Sequence, residues 1–352
     1  MTVHHQRRSR LRDALSADSG GVFVTRDLAS VRYLTGFSGS NATVVIGTGE
    51  VPLATDGRYR EQAAHESPDV VAIIDRDVVG AMRGLCTGCE IDLDDRTPVG
   101  IAQQLTEAGL TVRAVADPVA PLRMVKDAQE LDALSRAGHI TARALEQVAD
   151  TITVGDREAD VARRLEAAFA EWGAEDRAFA TIVAGGENSA LPHHRAGDRQ
   201  LAVGDLLVID CGAKVEGYHA DMTRTFVVGA APDEWQHEIH SLVLRAQEAA
   251  RDALAPEVIA GDIDAAAREL ITQAGFGEAF AHGTGHGVGL DIHEQPMLSA
   301  RSSAVLPEHA VVTVEPGIYL PGRGGVRIED TVVVAHAPQV LTDLERGLTR
   351  VG

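Results

Sequence analysis

Short apolar runs separated by polar, glycine-rich segments characterise the first third of the chain. Three of these runs have the length and the β-branched content of strands: Val22–Thr25, Ala42–Ile46 and Val70–Ile74. Residues 35–41 form a glycine-rich turn before the second run. Pro118 and Pro121 mark the end of the region. The pattern predicts a small α/β domain over residues 1–123.

Longer amphipathic segments follow in residues 124–352. Asp127 and Glu130 form a capping-box pattern, which opens a helix that continues to about Ala149. Three further helices are predicted: Asp156–Trp172, Asp233–Leu254 and Asp262–Ala274. A glycine directly follows the first and the last of them, as is common at helix ends. These helices alternate with strand candidates, so we predict a second domain over residues 124–352.

Four strand candidates in the second domain are strongly apolar: Leu206–Asp210, Thr223–Val228, Val311–Glu315 and Val326–Val334. In two of them the apolar run ends in a carboxylate, Asp210 or Glu315, followed by one residue and a glycine. After a loop, a second acid enters a β-branched run, Asp221 in one case and Glu329 in the other. If the two strand pairs face each other, the four carboxylates meet in one cleft.

Metal binding explains these four acids together. A carboxylate that is buried without a partner destabilises the fold, so each acid must take up a proton or find a cation. Arg224 and Arg327 are alternative salt-bridge partners for any single acid. Two divalent ions about 3.5–4 Å apart require bridging carboxylates and would neutralise all four acids. The pattern therefore predicts a two-metal site.

A segment rich in histidine and glycine, His282–Glu294, offers nitrogen ligands for such a site. Its glycines permit a tight backbone around a ligand, and its histidines are His282, His286 and His293. One histidine with four carboxylates suits hydrolysis with Mn²⁺, Co²⁺ or Zn²⁺ better than a structural zinc. An iron(II) triad of His286, Asp291 and His293 is an alternative, but it leaves the four acids unexplained.

Composition narrows the possible partners. The 352 residues carry a formal net charge of -20, which disfavours contact with phosphate backbones, so we expect no nucleic-acid partner. No apolar run reaches the ~20 residues of a membrane-spanning helix, and no apolar stretch follows the basic residues 1–12 as in a secretory signal. We expect a cytoplasmic protein without membrane contact. For the C-x-x-C pair Cys86 and Cys89, a redox pair, half a zinc site and two reduced thiols remain open.

Five segments carry a resemblance to a known family: residues 209–212, 219–226, 282–293, 314–319 and 326–331. They resemble the pita-bread metallopeptidases, which include aminopeptidase P, prolidase (Xaa-Pro dipeptidase), methionine aminopeptidase and the non-metal relative creatinase. Residues 33–39 and 55–59 are similar to the N-terminal domain of the Xaa-Pro branch, which methionine aminopeptidases usually lack. The resemblance therefore spans the chain and favours the aminopeptidase P and prolidase branch.

The resemblance implies a fold and an activity. The implied fold class is α+β, with a C-terminal pita-bread (creatinase/aminopeptidase) fold in residues 124–352 and a smaller creatinase-like α/β domain in residues 1–123. The implied activity is a dinuclear metal-dependent exopeptidase that hydrolyses the bond between an N-terminal residue and proline in short peptides. The expected cofactors are two divalent ions per chain, Mn²⁺ first, with Co²⁺ or Zn²⁺ as alternatives. By analogy we expect a homodimer.

The resemblance also assigns the metal ligands. Asp210 binds one ion alone, whereas Asp221 and Glu329 bridge both ions. His286 and Glu315 complete the other site. A water activated between the ions attacks the scissile carbonyl, and Glu315 moves the proton as general base and then as acid.

Four further residues match the family motifs. His193 and His293 correspond to histidines that contact the substrate and stabilise the tetrahedral intermediate. Arg327 is expected to orient Glu329 without binding metal itself. His282 is expected to support the site rather than to bind a metal.

One position departs from the family pattern. Prolidase-type relatives can carry an arginine shortly after a His-Glu-x-Pro segment, where it holds the carboxylate of a dipeptide. This chain has Met297 there, which leaves longer peptides open as substrates, and Arg301 could compensate. A creatinase-type C–N hydrolase and a catalytically inactive interaction protein on the same fold are the alternatives. The first needs no metals and the second typically loses ligands, whereas this chain retains all five.

Overall fold

The computed structural model describes residues 2–16, 21–86 and 88–352. The chain divides into two units, Met1–Arg123 and Met124–Gly352, and each contains its own apolar core. Within the described ranges, no helix combines the length and the apolar character needed to cross a membrane.

The first unit consists of one mixed sheet and its helices: α1 (Val3–Ser16), β1 (Val22–Thr25), α2 (Leu28–Thr35), β2 (Ala42–Ile46), β3 (Pro52–Thr55), α3 (Arg60–Glu66), β4 (Val71–Ile74), α4 (Val78–Leu85), β5 (Glu90–Asp94), α5 (Val99–Glu107), β6 (Thr111–Val115) and α6 (Ala120–Met124). The strand order is β4-β3-β2-β1-β5-β6. Strands β1, β2 and β3 pair antiparallel, and the outer pairs are parallel. Met82 of α4 and Leu105 of α5 pack in one apolar cluster with β1, β2 and β5. Strands β1 and β2 match their predicted bounds, and β4 begins one residue later than predicted.

The C-x-x-C pair of the first unit consists of free thiols. Cys86 is buried and Cys89 is exposed. Burial raises the pKa of Cys86 to about 11, so this thiol stays protonated at neutral pH and lacks the thiolate that redox exchange requires.

The second unit contains four helices, two larger sheets and two small ones within its described residues. Its elements are α7 (Ala128–Ala149), α8 (Glu158–Glu171), β7 (Asp176–Arg177), β8 (Ile182–Gly185), β9 (Leu206–Cys211), β10 (Ala213–Val215), β11 (Tyr218–His219), β12 (Met222–Val228), α9 (Glu234–Ala253), α10 (Ala260–Gln273), β13 (Gly285–Gly287), β14 (Glu294–Leu298), β15 (Val311–Val314), β16 (Gly317–Leu320), β17 (Gly324–Arg327), β18 (Asp330–Val333), β19 (Gln339–Val340) and β20 (Thr349–Val351). The larger sheets have the orders β20-β12-β9-β8 and β14-β13-β15-β18-β19. The smaller ones are β11-β10-β7 and β16-β17.

The four predicted helices of this unit are confirmed. The capping box of α7 is present, because the Asp127 carboxylate accepts from the Glu130 N–H while the Glu130 carboxylate accepts from the Asp127 N–H. The other three begin and end within two residues of their predicted bounds. Helix-start signals and amphipathic periodicity were therefore sufficient here.

The prediction of one continuous strand over Val326–Val334 is wrong. The chain forms β17 and β18 instead, and it changes sheet at Ile328 and Glu329. The backbone N–H of Glu329 donates to the carbonyl of Thr223 at 3.1 Å, outside either ladder. Residues typical of strands continue on both sides of Glu329, so the sequence carries no local signal for such a change of partner, which depends on tertiary pairing.

Strands β9 and β12 direct their polar positions away from the neighbouring helices. Leu207 and Ile209 of β9 pack with α7 and α8, and successive strand residues point to opposite faces. Asp210 therefore lies on the other face. Thr223 lies directly opposite Asp210 in the antiparallel pair and shares that face, and Asp221 directly precedes β12.

Strands β15 and β18 repeat this arrangement with a different pair of helices. Val312 and Val314 pack with α9 and α10, so Thr313 faces the opposite way. Glu315 directly follows β15, and Glu329 directly precedes β18, its antiparallel partner. The predicted echo between two strand pairs is confirmed, and each pair carries its acids at strand ends.

Candidate metal centre

A cleft of about 570 Å³ in the second unit is lined by every site residue that the sequence predicts. These residues are Asp210, Asp221, His286, Glu315 and Glu329, together with His193, His282, His293 and Arg327. They come from both strand pairs, from β13 and β17, and from the segments before β9, β13 and β14. Residues that are far apart in sequence therefore share one cavity.

Asp221, His286 and Glu329 form the tightest group. Each offers a potential ligand atom, and these three atoms lie within 4.8 Å of one another. The Nε2 atom of His286 is 3.7 Å from Asp221 Oδ2 and 3.6 Å from Glu315 Oε1. Two atoms bound to one ion at about 2.1 Å lie roughly 3–4 Å apart, so these separations suit a shared cation better than a hydrogen bond.

Strand β13 presents His286 in one tautomer. Its Nδ1 lies 3.0 Å from the carbonyl oxygen of Gly287, and a carbonyl only accepts, so Nδ1 carries the proton and Nε2 a free lone pair. The backbone N–H of His286 donates to Thr313 Oγ1 at 3.1 Å. A Cβ at Gly285 would collide with the Thr313 carbonyl, and one at Gly287 with that of Gln295. Glycine on both sides lets β13 approach its neighbours closely enough to aim His286 into the cleft.

Arg327 joins the two strand pairs inside the cleft. Its Nη2 donates to Asp210 Oδ2 at 2.7 Å, its Nη1 to the Tyr319 hydroxyl at 2.8 Å, and its Nε to Thr223 Oγ1 at 3.0 Å. The Thr223 hydroxyl in turn donates to Glu329 Oε2 at 2.7 Å. Arg327 therefore contacts Asp210 directly and reaches Glu329 through Thr223.

His282 is occupied by hydrogen bonds rather than free for a metal. Its Nδ1 lies 2.8 Å from the Gly283 carbonyl and must donate, so its Nε2 accepts from the Tyr319 hydroxyl at 2.9 Å. Burial lowers the pKa of His282 to about 4 and raises that of Tyr319 to about 12. Both side chains are therefore neutral at pH 7, in the protonation states that this hydrogen bond needs.

The charges of the cleft are not balanced by protein groups. Burial, reinforced by neighbouring carboxylates, raises the pKa of Asp221 and of Glu329. Burial also raises the pKa of Glu315 to about 7, although Arg327 opposes the shift. Asp210 Oδ1 is buried and has no hydrogen-bond partner within the described residues. Buried, mutually repelling carboxylates with one open oxygen fit divalent cations.

Two further histidines lie exposed in the cleft. The ring of His293 meets that of His286 edge-on, with 4.4 Å between the ring centroids. His193 follows Pro192 in the segment after β8 and also lines the cleft. Both imidazoles are therefore accessible to a molecule that enters the cavity.

Sequence reasoning missed Thr223 and Tyr319, which organise the site, and a buried acid outside it, Glu158. The strand register places Thr223 opposite Asp210, so a prediction of the pairing would have identified it. Tyr319 alternates with the buried Ile318 and therefore points the other way. Glu158 lies in a helix remote in sequence from every ligand, and nothing in its neighbourhood signals its contacts.

Comparison with known proteins identifies the class. The profile of metallopeptidase family M24 matches residues 132–336, and that of the creatinase/prolidase N-terminal domain matches residues 7–125. The chain belongs to metallopeptidase family M24. The predicted family and the predicted fold class, α+β with a C-terminal pita-bread domain and a smaller N-terminal α/β domain, are confirmed.

Individual relatives are similar over most of the chain. The Xaa-Pro dipeptidase of Pyrococcus furiosus is 45% identical over 237 residues, which are 67% of this chain and 68% of the relative. The structure of the Xaa-Pro dipeptidase from Bacillus anthracis has a TM-score of 0.94 and 33% identity, and the match covers 99% of this chain and 100% of that one. The X-Pro aminopeptidase from Thermotoga maritima has a TM-score of 0.91 and 37% identity, with 98% and 99% covered.

Proposed function

We propose that the protein is a dinuclear metal-dependent exopeptidase that hydrolyses the bond between an N-terminal residue and proline. The observation that carries the proposal is the convergence of four carboxylates and one imidazole in a cleft with too few protein cations. The preference for proline is supported by the names of the relatives, an Xaa-Pro dipeptidase and an X-Pro aminopeptidase.

The ligand assignment follows the cluster. Asp221 and Glu329 would be the ligands that both ions share, because their carboxylate oxygens lie within 4.8 Å of each other and of the His286 imidazole. Asp210 serves one ion through its open Oδ1. His286 and Glu315 serve the other, since Nε2 and Oε1 are 3.6 Å apart.

The metals, when bound, supply a Lewis acid for the peptide carbonyl and an activated water at neutral pH. Glu315 would be the proton carrier, because its carboxylate lines the cleft with Oε1 3.6 Å from His286 Nε2, next to the place of the attacking water. It takes the proton of the attacking water and delivers it to the leaving proline nitrogen. Arg327 holds Asp210 and, through Thr223, Glu329.

His193 and His293 contact the substrate and stabilise the developing oxyanion. The proline nitrogen of an Xaa-Pro bond has no N–H, and its φ is fixed near -65°, so a peptidase that grips an extended backbone binds it poorly. A cleft that uses imidazoles and metals does not depend on that missing donor.

Mn²⁺ is the metal we propose first, because a set of four carboxylates and one imidazole is rich in hard oxygen ligands. Co²⁺ and Zn²⁺ are alternatives. We also propose a cytoplasmic homodimer.

Metal analysis combined with an activity assay tests the function. We expect about two divalent ions per chain, complete loss of Xaa-Pro hydrolysis in EDTA, and recovery with Mn²⁺ or Co²⁺. Creatinase-type hydrolysis would continue without metal, and an inactive interaction protein would show no turnover in any metal. Full activity of the metal-free protein would overturn the proposal.

The length of the preferred peptide depends on the mouth of the cleft. Met297 lines it in place of a cation, and Arg301 is not among its lining residues. Arg195 does line it, is exposed, and makes no hydrogen bond or ion pair within the described residues. We propose that dipeptides, where accepted, bind their carboxylate to Arg195, and that Met297 leaves room for longer peptides.

Kinetics with an Xaa-Pro dipeptide and an Xaa-Pro-Yaa tripeptide test this. Arg195→Ala should raise KM about 10-fold or more for the dipeptide, the loss expected for one charge-assisted hydrogen bond, and less for the tripeptide. Arg301→Ala is the matched control and should change neither. A strong dipeptide preference that survives Arg195→Ala would contradict the assignment.

A further inference from the structure

Glu158, the first residue of α8, is a fully buried carboxylate outside the metal cluster. Its Oε1 accepts hydrogen bonds from the N–H of Gly185 and from Asn188 Nδ2, both at 2.9 Å. Its Oε2 lies 2.8 Å from His194 Nε2 and accepts from the N–H of Gly197 at 3.3 Å. All four partners belong to the single segment 185–197, so one side chain fastens both ends of that segment.

A buried carboxylate destabilises a fold unless hydrogen bonds and charges compensate it. Burial alone would raise the pKa of Glu158, but its hydrogen bonds outweigh that effect and lower the pKa below its ordinary value. The side chain is therefore ionised and can only accept, so His194 Nε2 donates to it. Glu158 is therefore the common acceptor of four hydrogen bonds from residues 185–197. No strand is described in this segment between β8 and β9.

The segment held by Glu158 carries His193. The imidazole of His193 makes no hydrogen bond within the described residues and is exposed in the cleft, so its direction depends on its flanks. On one side, the Pro192 carbonyl accepts from Arg327 Nη1 at 3.4 Å. On the other side, His194 is fixed by Glu158. His193 thus lies between two fixed neighbours: Pro192, which is bound by Arg327, and His194, which is bound by Glu158 of α8.

We infer that Glu158 is a positioning residue for His193, acting through His194 and through the backbone of residues 185–197. The kinetic part of this inference rests on the proposed function, whereas the anchoring itself does not. Glu158 contacts no metal ligand in the described structure. Its loss should therefore disturb substrate binding and turnover without releasing metal.

Hydrogen–deuterium exchange tests the anchoring without any substrate. In Glu158→Gln, the amide nitrogen replaces one oxygen and opposes the Gly197 N–H, so exchange should rise at residues 185–197 and stay unchanged in β9 and β12. Asp160→Asn is the matched control, because Asp160 is the other acid in the first turn of α8, is half-exposed and pairs only with Arg163 of the same helix. It removes the same charge near the helix N-terminus and should leave the segment protected. Unchanged exchange at residues 185–197 in Glu158→Gln would overturn the inference.

A double-mutant cycle tests the connection with His193. In the otherwise unaltered chain, Glu158→Gln should lower kcat/KM about 10–100-fold, as expected for a displacement of about 1 Å in a substrate-contacting group. In the His193→Ala background the same change should cost less than about 2-fold, because the group being positioned is gone. Equal losses in both backgrounds would assign Glu158 a general structural role and overturn the inference.

Two measurements keep the outcomes separate. Metal content should stay at the level of the unaltered chain in every variant, and a loss of metal in Glu158→Gln would contradict positioning through His193. His194→Ala removes only one of the four contacts and serves if Glu158→Gln does not fold; it should show the same dependence on His193. If the unaltered chain fails to cleave Xaa-Pro peptides, the proposed function fails, while the exchange experiment still decides the anchoring.

Discussion

Two buried arginines next to the metal cleft, Arg224 and Arg327, have different partners. Arg224 pairs with Asp330 at 2.8 Å and donates to several backbone carbonyls, including that of Glu329 at 2.6 Å. Arg327 alone donates to a cleft carboxylate, Asp210. Within the described residues, the other three cleft acids have no guanidinium partner. Salt bridges therefore explain one of the four acids, and the other three need protons or bound cations.

Asp221 is the ligand whose loss should be most informative. Asp221→Ala should reduce the metal content per chain and lower kcat/KM by at least about 100-fold, because a bridging ligand serves both ions. Asp291→Asn is the control, because Asp291 belongs to the alternative iron triad but does not line the cleft. It should retain both ions. Unchanged occupancy in Asp221→Ala, or loss of metal in Asp291→Asn, would refute the assignment.

Glu315 gives the metal-free protein a characteristic pH dependence. Its pKa in the folded state is about 7, above the ordinary 4.5, because it is buried. The folded state then binds the proton more tightly than the unfolded state, so the free energy of unfolding falls as pH rises from about 4.5 to 7 and levels off above. Denaturant unfolding in EDTA across this range measures the effect. Glu315→Gln should remove this component, of the order of a few kcal/mol; an unaltered pH profile in the variant would contradict it.

The close packing of strand β13 against its neighbours requires the absence of side chains at its glycines. Gly287→Ala would drive a Cβ into the Gln295 carbonyl of β14, and backbone carbonyls cannot rotate away as side chains do. We expect a loss of about 1–3 kcal/mol or more in stability and weaker metal binding, because His286 moves with the strand. Gly347→Ala is the control, since its Cβ would meet only the mobile end of the Glu345 side chain. Equal effects from both changes would show that β13 is not tightly constrained.

The elements of the second unit could be predicted wherever the signal is local. The capping box of α7 and the carboxylates at the ends of β9 and β15 are recognisable from residues close to them in sequence. Their positions therefore follow from local patterns such as periodicity. The run Val326–Val334 is different. It is rich in β-branched residues on both sides of Glu329, and the competing pairings with β15 and β16 split it there. Local sequence does not determine with which other strand a given strand pairs.

The same distinction applies to the site. The five proposed ligands could be picked out because each lies in a motif of its own. The network that holds them could not be, because Arg327 reaches Asp210 across 117 residues and Thr223 reaches Glu329 across 106. Contacts over such separations are set by tertiary packing. The expectation that Arg327 orients Glu329 came from closeness in sequence, whereas the contacts through Thr223 and to Asp210 depend on the fold.

Because the whole molecule is strongly acidic, metal binding should stabilise its folded state. A formal charge of -20 repels itself most strongly when the chain is compact, and four of the acids share one cleft. Divalent ions relieve this repulsion only in the folded state, where the ligands converge. Ligands that bind only the folded state stabilise it by about 2.7 kcal/mol at a free concentration 100 times their Kd.

Thermal unfolding should therefore depend on metal. Addition of Mn²⁺ to the EDTA-treated protein, at constant ionic strength, should raise the Tm of the transition that involves the second unit by about 5–10 °C. Differential scanning calorimetry measures the shift, and Asp221→Ala should abolish most of it because the bridging ligand is lost. Nonspecific binding to the acidic surface would instead raise the Tm of both proteins equally, since the variant removes only one of 52 acidic residues. An equal shift in both proteins would thus contradict the cleft as the site of stabilisation. A shift confined to the unaltered chain would link the stability of the fold to the carboxylates that we assign to catalysis.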